Sequence, residues 1–103
     1  MYLIREIMYC KPGKVRPMVE KFVAMSKLGE KLGMPTMRIM THFCADQYWT
    51  LVAEMEVPSL QAFADMMNQP QGSPEDLKKF EEIMKDYHSF VDRGKREIYK
   101  IEG

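Results

Sequence analysis

The sequence predicts an α+β domain: a four-stranded antiparallel sheet with its helices on one face. Three observations carry that prediction. Residues 2–9, 37–44, 48–57 and 96–101 read as strands, helical stripes fill the intervals after the first and third of them, and Pro/Gly breakers stand at the junctions. At 103 residues the chain has room for one core, so residues 1–103 are expected to form one domain.

The first strand, 2–9, is rich in β-formers and stops at Lys11-Pro12-Gly13-Lys14. From Val15 the apolar residues Met18, Val19, Phe22, Met25 and Gly29 recur at helical spacing, with Val23 at the edge. Pro17 suits only a first turn, where N–H groups lack intrahelical partners, so this helix starts near Lys14 and runs to about Leu32. Gly33 and Pro35 end it.

Residues 37–44 and 48–57 form a hairpin around Ala45-Asp46-Gln47. Centring the turn on Asp46 opposes Met37 to Met55, Ile39 to Ala53, Thr41 to Leu51 and Phe43 to Trp49, an almost wholly apolar face. The other face pairs Arg38 with Glu54, Met40 with Val52, His42 with Thr50 and Cys44 with Tyr48. An even loop would set apolar residues against charges, so the odd loop is preferred.

Ser59 is the N-cap of a short helix with the stripe Leu60, Phe63, Ala64 and Met67. Gln69-Pro70-Gln71-Gly72 breaks the chain, and Ser73-Pro74-Glu75-Asp76 opens a further helix with a cap, a first-position proline and two acids at the positive end of the dipole. Its stripe is Leu77, Phe80, Met84, Tyr87 and Val91, and Gly94 is its stop. Residues 96–101 then alternate as the last strand. The order βαββααβ is the split βαβ arrangement of ferredoxin-like folds.

Lys+Arg 15 balance Asp+Glu 15, which removes the net field a phosphate binder needs, so no nucleic-acid partner is expected. Hydrophobic residues at 46% and charged residues at 29% exclude a disordered chain. No apolar run approaches the roughly 18 residues of a membrane span, and the charged start lacks a signal peptide's apolar stretch. A cytoplasmic protein with no membrane partner is the expectation. The 11 methionines are the unusual feature; flexible and polarizable, they suit core filling or an adaptable apolar pocket.

With the third strand between the first and second, Cys10 and Cys44 lie two strand spacings apart, roughly 9 to 10 Å. That exceeds the limit of about 7 Å for a disulfide, so both read as reduced thiols. Helices can cover only one sheet face. The other carries Met40, Val52 and Tyr48, with either Ile4 and Met8 or Leu3 and Ile7. An apolar patch of that size predicts a second copy of the chain as its cover, a homodimer, with Arg38 and Glu54 satisfying each other at the seam.

The chain resembles the dimeric α+β barrel superfamily, and especially its antibiotic-biosynthesis-monooxygenase-like and NIPSNAP-like branches. The likeness rests on Lys11-Pro12-Gly13-Lys14 after the first strand, on the aromatic Tyr48-Trp49 leading the third, and on the stretch from Glu54 to Phe63 entering a helix. It covers nearly the whole chain. It implies two sheets packed face to face and, for the monooxygenase-like members, cofactor-independent oxygenation of an electron-rich substrate. In the haem-degrading branch a helix histidine three residues after the phenylalanine binds iron; here that position is Met66, so no cofactor is expected.

Two histidines are candidate general bases, His42 mid-strand and His88 beside the last stripe; against that role stand the simpler readings of a structural histidine at the dimer interface for His42 and a solvated edge position for His88. Phe43, Trp49, Met84, Tyr87 and Tyr99 could line a pocket for a small apolar or aromatic molecule, or simply fill the core. Cys10 beside Lys11 is a candidate for a lowered thiol pKa, although a lone thiol near a lysine is usually inert. No metal site is expected from two histidines on separate elements. The resulting expectation is a homodimeric small-molecule-binding protein, monooxygenase-like if it catalyses; the alternative is a non-enzymatic interaction or scaffold module.

Overall fold

Strict alternation along the first strand decides how the molecule is layered. In a computed structural model describing residues 1–44, 47–68 and 72–103, Tyr2–Cys10 forms β1, one of two central strands. Val15–Lys31 forms α1, Arg38–Thr41 β2, Thr50–Val57 β3, Leu60–Asn68 α2, Pro74–Ile83 α3 and Val91–Lys100 β4. The sheet order is β2-β3-β1-β4, antiparallel throughout, which is the ferredoxin-like α+β arrangement.

The helices lie over the face that carries Ile4, Met8 and Cys10 from β1 and Leu51, Ala53 and Val57 from β3. Met18 and Phe22 of α1 pack on Cys10, Leu51 and Ala53, while Phe63 of α2 packs on Ile4 and Val57. Ile4, Met18, Leu51 and Val57 are fully buried, each stabilising the fold by roughly 1.5–3 kcal/mol. By alternation Leu3, Arg5, Ile7 and Tyr9 point to the helix-free face. That settles which side of β1 meets the helices.

Local chemistry explains the element ends. Pro17 falls in the first turn of α1, as its missing N–H requires, and the C-terminus closes with the Gly33 N–H on Glu30 and the Met34 N–H on Gly29. Gly33 sits at φ 80, the left-handed geometry that glycine adopts without a Cβ penalty. Ser59 Oγ accepts the Ala62 N–H, and Ser73 with Asp76 forms a reciprocal capping box under Pro74.

The hairpin register is as the odd loop requires: Arg38 opposes Glu54, Ile39 Ala53, Met40 Val52 and Thr41 Leu51. The strands are shorter than 37–44 and 48–57. Trp49 takes φ 61, which turns the chain out of the β conformation before Thr50. Ala45 and Asp46, on which the turn centre was placed, lie outside the described residues, as do Gln69, Pro70 and Gln71 of the expected break.

The largest departure is in the last third. The stripe through Tyr87 and Val91 predicts one helix to Gly94, yet α3 ends at Ile83, Asp86 adopts φ 65, Tyr87–Ser89 makes a short 3-10 turn and β4 begins at Val91. Sheet pairing overrides helical periodicity here: Val91 through Lys100 pair along the whole length of β1, with Gly94 opposite Met8. Gly94 is a strand residue, not a helix stop.

Candidate ligand pocket

Between the sheet and its helices lies a cavity of about 570 Å³, within the range of small-molecule sites. Eight of the 11 methionines line it: Met8 and Met55 from the central strands, Met25 from α1, Met34 and Met37 beside β2, Met66 and Met67 from α2, and Met84 after α3. Phe22, Phe63, Phe80, Leu77 and Tyr87 complete the apolar wall. Unbranched thioethers fill irregular space and repack around a guest.

The wall is held from outside. Lys21 Nζ of α1 donates to the carbonyls of Ile83 at 3.0 Å and Lys85 at 2.6 Å, satisfying the end of α3 and tying the two helices together. The same ammonium lies 5.6 Å from the Phe90 ring. Ser26 Oγ accepts the Met37 N–H at 3.4 Å, joining α1 to the start of β2.

Glu6 and Arg96 are the two charged residues among the lining residues. They oppose each other in the β1–β4 register, and Arg96 Nε donates to Glu6 Oε1. Arg96 also stands over the Phe63 ring, 5.1 Å from its centroid. Neither was singled out by sequence reasoning. The available signal was Glu6 itself, a carboxylate between Ile4 and Met8 on the strand face that packs under helices.

Of the residues nominated from sequence, Met84 and Tyr87 line the cavity. Phe43, Trp49 and Tyr99 do not. Phe43 is fully exposed and Trp49 is 41% exposed, because pairing gives out at the open end of β2 and β3; Tyr99 opposes Leu3 on the helix-free face. His42 extends the hairpin: its N–H donates to Thr50 O, and its Nδ1 accepts the Thr50 N–H at 3.3 Å. His88 is exposed, its ring 3.9 Å from that of Tyr87. The two histidines are not brought together.

Cys10 takes the inert reading over the reactive one. It is buried, and burial first, then the Asp92 charge, pushes its thiol pKa up rather than down. Cys10 and Cys44 are both free, Cys44 exposed. Among the described residues no group of three or more His, Cys, Asp or Glu is placed to hold a metal ion, and no helix is long and apolar enough to cross a membrane.

A ferredoxin-like sheet with a cavity under its helices is the class this geometry defines. Solved structures make the likeness particular. An uncharacterized NIPSNAP domain protein from Burkholderia xenovorans superposes with a TM-score of 0.73 at 13% identity, covering 99% of this chain and 95% of that one. A NIPSNAP-like domain protein from the same organism gives 0.66 at 17% identity over 98% and 84% of the two chains. An antibiotic-biosynthesis-monooxygenase-like protein from Deinococcus radiodurans gives 0.64 at 10% identity over 100% and 94%. The chain thus has the fold of the NIPSNAP and antibiotic-biosynthesis-monooxygenase-like branch. No protein-family model matches its sequence, and no curated protein matches it.

Proposed function

We propose that the protein binds a small, mainly apolar or aromatic molecule in the methionine-lined cavity and does so as a homodimer. One observation carries the reading: eight of 11 methionines surround a single space of about 570 Å³. The helix-free face supports the dimer. Leu3, Ile7, Met40, Val52 and Tyr99 sit there beside a row of paired charges, and a second copy of the same face matches both in kind.

The monooxygenase-like neighbour extends the proposal to cofactor-independent oxygenation of an electron-rich ligand. In such a reaction the substrate supplies the electrons, one atom of dioxygen enters the product and the other leaves as water. Glu6 is then the proton acceptor at the cavity, in place of His42 and His88, which lie outside its lining. Native mass spectrometry of the untagged chain tests the reading directly. A dimer mass with a small-molecule adduct is the expected spectrum; a monomer would remove the argument from the open face.

A further inference from the structure

The ion pair in the cavity wall leaves part of each partner unused. Arg96 Nε engages Glu6 Oε1, and among the described residues neither Glu6 Oε2 nor the terminal guanidinium nitrogens of Arg96 have another hydrogen-bond or ion-pair partner. Glu6 is the more sheltered, its side chain 19% exposed against 42% for Arg96. Phe63 under the guanidinium helps to hold it beside the thioethers.

Charge decides what this pair can take. A carboxylate brought to Arg96 also meets the Glu6 carboxylate a few ångströms away, so repulsion offsets most of the attraction. A hydroxyl is both donor and acceptor. It can donate to Glu6 Oε2 and accept from a terminal nitrogen of Arg96 while its carbon body lies among the methionines. Thioethers favour contact with aromatic rings, which suits a hydroxylated aromatic body.

Resting on the reading of the cavity as a ligand site, we propose that the Glu6–Arg96 pair is its specificity element. It selects an uncharged molecule with a hydroxyl on an apolar, preferably aromatic, body and rejects the corresponding carboxylate.

The test titrates the full chain, labelled with ¹³C-methyl methionine, with naphthalene, 2-naphthol and 2-naphthoate at neutral pH. In the unsubstituted protein 2-naphthol should bind about tenfold more tightly than 2-naphthoate. Glu6→Gln keeps the side-chain shape and removes the repulsion, so 2-naphthoate should gain about tenfold while naphthalene is unchanged. Arg96→Gln, an independent variant, should weaken 2-naphthol and give no gain for 2-naphthoate. Equal affinity for the two polar probes, or a Glu6→Gln protein with the original preference, overturns the assignment while naphthalene binding keeps the cavity reading intact. If naphthalene binds to no form of the protein, the cavity reading falls and the inference falls with it.

Discussion

Arg38 donates to Glu54 at 2.8 Å across the β2–β3 pair, and the same carboxylate meets Arg5 of β1 from the other side at 2.9 Å. The Arg5 contact is an ion pair set off the hydrogen-bond line, since its Nε has no hydrogen-bonding partner. Beyond Arg5 stands Glu97 of β4, at 3.6 Å. Register makes the row: Arg38, Glu54, Arg5 and Glu97 are successive cross-strand partners, so one line of alternating charge crosses all four strands.

Burial within that row predicts an asymmetry. The Glu54 side chain is 10% exposed and that of Arg38 72%. Glu54→Gln strips the nearer of two counter-charges from a half-buried Arg5 and leaves only Glu97 at 3.6 Å, so it should cost about 2 kcal/mol. Arg38→Ala removes a solvated partner and should cost less than about 1 kcal/mol. Urea denaturation of the two variants checks the order; equal losses would mean that Glu54 is not the hub.

Thiol reactivity should split by position. Cys10 is buried with its pKa raised, so little thiolate forms near neutral pH, while Cys44 is exposed. Iodoacetamide under native conditions should modify Cys44 first, with Cys10 reacting only on unfolding. Peptide mapping against time reads this out, and simultaneous labelling would contradict the buried placement of Cys10.

These features differ in how far sequence alone could reach them. The hairpin was legible because period-two alternation allows only one register for Arg38 and Glu54, and α1 because Pro17 and Gly33 bracket an apolar stripe. The end of α3 was not. Leu77, Phe80, Met84, Tyr87 and Val91 keep helical spacing past Ile83, where α3 ends, and up to Val91, where pairing with β1 takes over the chain. Phe43 and Trp49 were placed on the apolar face by the same alternation that placed Leu51, but the positive φ of Trp49 breaks it, and no local residue pattern announces that. Glu6 was visible as an odd charge; its partner Arg96 needed the β1–β4 register, which only the folded sheet supplies.

The α3 cap should respond to acid in one direction. Hydrogen bonds to Asp76 from the Ser73 backbone N–H, and then from its hydroxyl, hold the carboxyl below the ordinary value of 3.8. A carboxyl with a depressed folded pKa lends stability that is complete above its unfolded value and is lost as pH falls through the folded one. Fraying at Ser73 should therefore begin only below about pH 4. Amide chemical shifts of Ser73 and Asp76 followed from neutral to acid pH show it, and Asp76→Asn should flatten that titration.

Gly94 offers a way to change the cavity from its floor. A Cβ there would stand 2.8 Å from Met8 Sδ and 3.3 Å from the Ile7 carbonyl oxygen, too close for the thioether to stay where it is. Met8 lines the cavity, and its flexible end can yield towards that open space. Gly94→Ala should then alter stability by no more than about 1 kcal/mol, since repacking strain is offset by the lower backbone freedom of alanine in the unfolded chain. Naphthalene should bind about threefold more weakly, because the displaced thioether takes up volume the guest would occupy. The larger Gly94→Val should push further in both respects, with the Ile7 carbonyl unable to retreat inside the β1–β4 pairing. Urea midpoints and naphthalene titrations of the two variants are the measurements, and unchanged probe affinity in both would place Met8 outside the volume that a ligand uses.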